Sequence, residues 1–178
     1  MCKNSKILYY PILAIYMAAI IVAFSGCENQ EKSEAQELLA IAEKNKDFIN
    51  VYTEDFWNTH NIDAFDIYYA SDFVVHFADG DMNREQYKGL CQAYFAAFPD
   101  LTITTDDLVA EGEKVTKIWT ANCTHKGEFM GIPATGNEVV VKGIEVFHIV
   151  DGKIVELWAS MDNLGMLQQL GVIPPLGE

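Results

Sequence analysis

The strongest candidate for acid/base chemistry in this sequence is a carboxylate that follows a strand-like segment. Side chains of the segment 153–161 alternate between two faces, and Asp162 has the same parity as Trp158. If this parity faces the interior, apolar surroundings would raise the pKa of the Asp162 carboxyl toward the range that suits general acid/base catalysis. Asp162 also stands where an N-cap would begin a helix over 163–170, and the two roles are compatible.

Four histidines are the other groups that could transfer protons near neutral pH, and they are His60, His76, His125 and His148. No two of them have the spacing of a metal-binding pair, and no Cys/His array indicates a zinc site. The sequence also lacks a Gly-x-Ser-x-Gly nucleophile motif and a Gly-rich phosphate loop. It therefore predicts neither a metal nor another cofactor.

Aromatic residues make up 12% of the chain, enough to line an apolar pocket around such groups. Core packing is the more ordinary role for most of them. The candidates are Tyr52, Trp57, Tyr68, Tyr69, Tyr94, Trp119 and Trp158.

The part of the chain before Leu101 has mainly helical patterns, and these helices must pack against the candidate residues from one side. Ser33 and Gln36 have the spacing of a capping box, which predicts a long helix from there through Trp57. The elements predicted after it are a short helix over 62–69, a strand over 73–77, and an amphipathic helix that begins with a second capping box at Asn83 and Gln86.

From Leu101 onward the pattern changes to the alternation of β-strands. The predicted strands cover 101–110, 115–125, 138–150 and 153–161. Turn residues at 111–113 and 151–152 make the connections short, so we expect an antiparallel meander. Helices followed by such strands predict an α+β fold, in which helices pack on a curved antiparallel sheet and leave a conical pocket.

Composition excludes one class of partner. The 178 residues suffice for one domain, and 26 acidic residues against 12 basic ones give a formal net charge of −14. An anionic surface repels phosphate backbones, so nucleic acid is not expected as a partner.

The first 26 residues have the composition of an export signal. Their charges are Lys3 and Lys6, and an apolar run extends from Ile12 to Phe24. Ser25-Gly26-Cys27 and the polar residues after it resemble the lipobox of bacterial lipoproteins. The resemblance implies lipid attachment at Cys27 and a protein held at the membrane of the bacterial cell envelope.

The resulting domain boundaries are a lipoprotein signal peptide over 1–26, a polar tether over 27–33 and a folded domain over 34–178. An uncleaved membrane anchor and a chance cysteine after an ordinary signal are the alternatives. Cys91 and Cys123 would remain to form a disulfide, but two buried thiols are the favoured interpretation.

Several ordered motifs between about residues 45 and 173 are similar to those of the SnoaL-like polyketide cyclase (ester cyclase) family. They are Asn50–Tyr52, Trp57–Asn61, Phe98–Leu101, Glu111–Val115, Thr124–Gly136, Asp151–Trp158 and Asp162–Gly171. The resemblance implies the α+β cone of the nuclear-transport-factor-2-like superfamily, sometimes described as an α+β barrel. It also implies a homodimer formed through the open sheet face.

The characterised cyclases of that family close a polyketide ester by a cofactor-free aldol reaction. A base removes an acidic C–H flanked by carbonyls, and an acid protonates the carbonyl under attack. The resemblance implies that Asp162, in the Trp-x-x-x-Asp segment, is the catalytic carboxylate and that His125 assists it. Residues expected in the pocket wall are Trp57, His60, His76, Trp119 and Trp158.

The sequence therefore leaves two candidate functions open. One is a cofactor-free cyclase or related carbon-acid enzyme that acts on a small apolar carbonyl compound. The other is a non-catalytic envelope lipoprotein that binds a small hydrophobic ligand in the same cavity. Asp162 and His125 together favour the enzyme, whereas export favours the binding protein.

The first prediction concerns lipidation. Labelled palmitate should enter the wild-type protein in a bacterial host and should be absent from Cys27→Ala, because that sulfur is the expected acyl acceptor. Cys91→Ala is the matched control and should label normally. Equal labelling of Cys27→Ala and wild type would contradict the lipobox interpretation.

Overall fold

The computed structural model describes residues 32–174, so the lipobox and Cys27 lie outside the described residues. The chain divides into two compact units, Met1–Ala40 and Ile41–Glu178. In the first unit, residues 32–40 are helical and exposed. Because Lys32 and Ser33 are already helical, the predictions of a tether to residue 33 and of an N-cap at Ser33 are wrong. Within 32–174 no helix is both long and apolar enough to cross a membrane.

The second unit contains four α-helices and two short turns of other helical types. Helix α1 covers 41–52 and passes into a π-helical turn, Thr53–Asn58, where the sequence predicted continuous α-helix. The elements after it are a 3-10 turn Ile62–Ala64, α2 Phe65–Tyr68, α3 Arg84–Ala97 and α4 Asn163–Gln169.

Helix α3 begins as the sequence predicts. The Asn83 side chain accepts from the backbone N–H of Gln86, and the Gln86 side chain accepts from the backbone N–H of Asn83. This reciprocal pair satisfies two N–H groups that helix geometry leaves unpaired. Tyr87 and Cys91, one turn apart, are buried on the face that packs inward.

Six strands form one sheet, in the spatial order β2-β1-β6-β5-β4-β3. They are β1 Tyr69–Phe77, β2 Gly80–Asn83, β3 Thr102–Glu111, β4 Lys114–Thr124, β5 Glu138–Val150 and β6 Lys153–Met161. The antiparallel meander β3 to β6 is confirmed. However, β1 pairs with β6 in parallel, so the sheet is mixed, and it ends in two edge strands instead of closing into a barrel.

The α+β class and the packing of helices on a curved sheet are confirmed. One face of the sheet meets the helices, and the inner side chains of β4 and β5 are consistently buried or partly buried. Aromatic rings join the two layers: Phe65 stacks on Tyr69 at 4.3 Å between centroids, and Tyr52 packs edge-on against Phe147 at 5.9 Å. Such ring pairs contribute about 0.5–1.5 kcal/mol each beyond area burial.

The sequence predicts that Trp158 and the residues of the same parity in β6 face the interior. This prediction is wrong for the C-terminal half of the strand. A register shift opposite His148 and Ile149 makes Ile154 and Leu157 both buried, although they have opposite parity in sequence. A bulge of this kind inserts one residue and exchanges the faces of the strand beyond it. Trp158 is consequently 36% exposed on the outer face.

The loop after β4 is held against the end of α3 by Gly127. The backbone N–H groups of Lys126 and Gly127 both donate to the Ala97 carbonyl at 2.9 Å. A Cβ on Gly127 would lie 2.5 Å from the Ala96 carbonyl oxygen and 2.9 Å from Ala97 Cα. Since both neighbours are backbone atoms, a side chain there would force the loop away.

Gly127→Ala should therefore lower stability by about 1–3 kcal/mol, as overpacking does. Gly89→Ala is the matched control, because Gly89 is exposed within α3 and a Cβ there meets nothing within 4 Å. That control should gain up to about 1 kcal/mol through helix propensity. Chemical denaturation measures both changes, and equal stabilities for the two variants would refute the close-approach argument.

Candidate functional site

A cavity of about 80 Å³ lies between the inner face of the sheet and the helical layer. Concave, largely apolar sites with a few polar groups are where proteins bind small organic ligands. The residues that line it are Trp57, Phe77, Tyr87, Leu90, Tyr94, Phe98, Leu101, Ile103, Trp119, Ala121, Cys123, Val141, Glu145, Ala159, Ser160, Met161 and Met166. The wall is predominantly apolar, which favours an apolar ligand.

Glu145 supplies the one carboxylate among the described residues that line this cavity. It lies on the inner face of β5, two residues from Gly143 and Phe147. Burial raises the pKa of the Glu145 carboxyl, and the positive charge of Lys117 opposes part of that rise. A carboxyl in this setting can accept or release a proton closer to neutral pH than a carboxyl in water.

Lys117 is the nearest strand neighbour of Glu145 and is only 1% exposed. The two residues are Cα partners in the β4–β5 register, so both side chains leave the sheet on the inner face. Lys117 Nζ donates to Thr53 Oγ1 at 2.7 Å, and Thr53 Oγ1 donates to the Ile49 carbonyl at 2.8 Å. Burial lowers the pKa of Lys117, while Glu145 acts in the opposite direction.

A chain of buried hydroxyl and indole groups lies beside the carboxylate. Trp57 Nε1 donates to Tyr52 Oη at 2.7 Å, and Tyr52 shares a short hydrogen bond with Tyr69. The ring of Tyr69 in turn packs edge-on against Tyr87, which lines the cavity, with 5.6 Å between centroids. Burial raises the pKa of Tyr52, Tyr69 and Tyr87, so all three stay neutral and keep a hydrogen to donate.

Trp57 and Trp119 are the predicted pocket residues that the structure brings to the cavity. Trp119 is 7% exposed and lies opposite Gly143 across the β4–β5 pair. The remaining predicted residues, namely His60, His76, His125, Trp158 and Asp162, are absent from the described lining.

His125 is fully buried but serves the loop that follows β4. Its Nδ1 accepts from the Thr135 backbone N–H at 3.2 Å, which places the hydrogen of the neutral ring on Nε2. The ring lies against Phe98, a cavity residue, with 5.2 Å between centroids. A positioning contribution through Phe98 is thus available to His125, and its catalytic role stays a prediction.

Asp162 is exposed and caps α4. Its Oδ1 accepts from the Gly165 backbone N–H at 2.8 Å, as an N-cap does. The placement of its carboxylate on an interior face is therefore wrong, although its catalytic role stays a prediction. Met166 on the same helix lines the cavity, so the cap does help to fix one part of the wall.

His76, Trp158 and His60 lie elsewhere. His76 stacks on Trp158 at 5.0 Å on the outer face of the sheet, and its Nδ1 lies 2.9 Å from Asp81 Oδ1. His60 Nε2 donates to the Leu101 carbonyl at 2.9 Å, and this bond ties the turn after the π-helix to the start of β3. None of these three residues is in the described lining of the cavity, and their role in substrate binding stays a prediction.

Cys91 and Cys123 are free thiols; the favoured interpretation of two buried thiols holds for Cys91, whereas Cys123 is partly exposed. Burial raises the pKa of Cys123, at the cavity wall, to about 11, which keeps it in the unreactive thiol form. Across residues 32–174, no three His, Cys, Asp or Glu side chains are grouped so that they could hold a metal ion.

Sequence reasoning missed Glu145 and Lys117, although a signal for both was present. Val139, Val141, Phe147 and Ile149 share the parity of Glu145 and are all buried. A single charged residue on a strand face whose other residues are apolar indicates a buried charge. The same pattern marks Lys117, whose parity includes Val115, Trp119 and Ala121.

Comparison with known proteins gives consistent matches. The family model of SnoaL-like polyketide cyclases matches residues 49–170. No functionally curated protein matches the chain.

Among solved structures, IdmH, a candidate polyketide cyclase from Streptomyces antibioticus, is 35% identical, and the match covers 71% of this chain and 98% of that one, with a TM-score of 0.62. A candidate polyketide cyclase from Acidithiobacillus ferrooxidans is 30% identical over 71% and 93% of the two chains, with a TM-score of 0.63. AclR, a candidate hydroxylase from Streptomyces galilaeus, is 28% identical over 77% and 87%, with a TM-score of 0.71.

The raised pKa of Glu145 predicts a pH-dependent stability. A carboxyl whose pKa is higher in the folded than in the unfolded state stabilises the fold while it is protonated, and this stability is lost as pH rises through the folded pKa. Glu145→Gln removes that loss. Its melting temperature minus that of wild type should therefore increase between pH 4 and pH 7, as measured by thermal scans.

Glu138→Gln, the same substitution at the exposed start of β5, is the matched control and should show no such trend. A difference between Glu145→Gln and wild type that shrinks with rising pH would mean that attraction to Lys117 outweighs burial.

Proposed function

We propose that this chain, which belongs to the SnoaL-like polyketide cyclase family, is a cyclase-type enzyme that performs cofactor-independent acid/base chemistry on a small apolar carbonyl compound in the cavity. The reaction is an aldol cyclisation or a related reaction of a carbon acid. The observation that carries the proposal is the carboxylate of Glu145 in the apolar cavity wall.

Glu145 is suited to removing a proton from a carbon next to a carbonyl. A base of this kind works best when its pKa approaches the working pH, and burial raises the pKa of Glu145 in that direction. The positive charge of Lys117 limits this rise in the pKa of Glu145. Burial and the charge of Lys117 together adjust the pKa of Glu145, so that its carboxyl suits both acceptance and release of a proton.

Neutral phenols supply hydrogen bonds on the opposite side of the cavity. Tyr87 and Tyr94 both line it, and burial raises the pKa of both hydroxyls. The ring of Tyr87 packs edge-on against Tyr69, whose hydroxyl is hydrogen-bonded to Tyr52, which also accepts from the Trp57 indole. Donors held in this way stabilise negative charge on an oxygen without reorganising during the reaction.

Asp162 is the competing assignment for the acid/base group, since the sequence resemblance implies it, with His125 as its assistant. The geometry favours Glu145, because Asp162 is exposed and holds the Gly165 N–H. In the second candidate function, the cavity binds a hydrophobic ligand without reaction, and the apolar wall favours such binding as much as it favours catalysis.

Location and assembly form part of the proposal. The Ser25-Gly26-Cys27 junction supports a lipid anchor through Cys27 at the bacterial cell envelope. The outer face of the sheet supports a homodimer, because Ile118 and Ile144 lie directly opposite each other there and are 43% and 45% exposed.

Proton exchange in D₂O tests the chemistry with a probe ketone. In 2-tetralone, an apolar bicyclic ketone, the C1–H lies between an aromatic ring and the carbonyl and is weakly acidic. Wild type should accelerate deuterium incorporation at C1, as followed by NMR, and Glu145→Gln should lower the enzymatic rate by about 100- to 10,000-fold. The Gln side chain keeps the size of Glu but cannot accept the proton.

Asp162→Asn is measured beside it, since Asn preserves shape and can still cap α4. A large loss in Asp162→Asn with none in Glu145→Gln would transfer the base to Asp162. Binding of 2-tetralone by wild type without any exchange would favour the non-catalytic function.

A further inference from the structure

The indole of Trp119 presents an unsatisfied donor in the cavity wall. Trp119 is 7% exposed and lines the cavity, yet its Nε1–H has no hydrogen-bond partner among residues 32–174. Burying a donor without a partner carries the full cost of removing it from water. Most buried polar groups in native proteins are paired, so an exception beside a cavity points to a ligand or ordered water as the partner.

The position of this indole is fixed by Gly143. The two residues are Cα partners, and a Cβ on Gly143 would lie 2.3 Å from Cζ2 and 2.6 Å from Cε2 of the ring. The three nearest ring atoms, Cζ2, Cε2 and Cη2, all belong to the six-membered ring, so this part of the indole lies directly against the glycine backbone. Glycine weakens a strand interior and often marks a close approach. Here the close approach is that of the indole.

The other cavity tryptophan shows what a structural indole does in this protein. Trp57 Nε1 donates to Tyr52 Oη at 2.7 Å and is thus satisfied within the fold. Trp119 lies in the same cavity with the same kind of donor but leaves it unpaired. Core packing alone accounts for Trp57 and does not account for the unpaired donor of Trp119.

Strand geometry places this donor near Glu145. Gly143, against which the indole packs, and Glu145 are two residues apart on the inner face of β5. Successive side chains on one face are separated by about 7 Å along a strand. One small ligand in the cavity can therefore place an oxygen at Trp119 Nε1 and a carbon beside the Glu145 carboxylate.

We propose that Trp119 Nε1–H binds the carbonyl oxygen of the ligand next to the carbon that Glu145 deprotonates, so that the ligand is an apolar ketone or ester oriented by this hydrogen bond. The inference rests on the proposed function, because it names the substrate class of the same cavity. In the step, the C–H proton moves to the Glu145 carboxylate and the C–H electron pair forms the C=C bond of an enolate. The π pair of the carbonyl moves to the oxygen that Trp119 holds.

A matched pair of probes tests the hydrogen bond in the purified protein. 2-Tetralone carries the carbonyl oxygen, and tetralin is the hydrocarbon of the same skeleton. Binding of each is measured by calorimetry to wild type, Trp119→Phe and Trp57→Phe. Trp119→Phe should lower the affinity for 2-tetralone about 3- to 10-fold more than the affinity for tetralin, because only the ketone loses a hydrogen bond. Trp57→Phe, which removes a donor already used by Tyr52, should change both probes by the same factor.

A second measurement requires no variant to bind ligand. In protein labelled with ¹⁵N at its three tryptophans, 2-tetralone should shift the indole N–H signal of Trp119 downfield and tetralin should not. Signals are assigned from the peak missing in each Trp→Phe variant. The inference would be overturned if Trp119→Phe lowered the affinity for both probes equally. It would also be overturned if the Trp119 signal did not move when 2-tetralone was bound.

Failure of the inference differs from failure of the proposed function. If both probes bind and Glu145→Gln abolishes exchange while Trp119 shows no ketone preference, the function stands and Trp119 is a packing residue. If neither probe binds wild type, the cavity is no site for apolar ketones, and both proposals fall together.

Discussion

A lysine and a glutamate that lie opposite each other on the inner face of the sheet constrain the rest of this molecule. Removing either charge from water is costly, and attraction between the two recovers only part of the cost. Lys117 can remain buried because Thr53 accepts its hydrogen bond, and Thr53 is in position because it begins the π-helical turn. Glu145 can remain beside it because the cavity leaves its carboxylate uncovered by protein. The π-helical turn, the β4–β5 register and the cavity thus all meet at this one pair of charges.

The aromatic layer around the pair keeps this arrangement rigid. Tyr52 contacts Phe56, Tyr68, Tyr69 and Phe147 with ring centroids 5.2–5.9 Å apart, which connects α1 to both β1 and β5. The hydroxyl of Tyr52 also accepts a hydrogen bond from the Trp57 indole. The Tyr52 side chain is therefore held both by ring packing and by a hydrogen bond at its hydroxyl. A rigid wall lets a small number of polar groups act on a ligand without first being ordered by it.

Local signals predicted much of the fold, and long-range pairing produced most of the differences. The capping box at Asn83 is a contact across three residues, so sequence suffices to find it. The parallel pairing of β1 with β6 joins residues about 80 positions apart and leaves no local pattern. The bulge opposite His148 changes which face of β6 is buried, and for that reason Trp158 was assigned to the wrong side. Glu145 belongs to none of the family-like motifs, and its signal in the sequence is a single charge within a strand face of otherwise buried apolar residues.

The two candidate carboxylates differ in what their surroundings would do during proton transfer. Asp162 lies at the start of a helix, where it accepts a backbone N–H and meets water, and a Cβ on Gly165 would lie 2.2 Å from its Oδ2. That cap must remain intact for α4 to keep Met166 in the cavity wall, so protonating Asp162 in each turnover would weaken the support of the site itself. Glu145 has no such structural duty in the helical layer: it stands on a strand held on both sides by β4 and β6. A base that gains and loses a proton without loosening its scaffold is better placed in the middle of a sheet than at a helix terminus, and this difference favours Glu145 as the base of the proposed reaction.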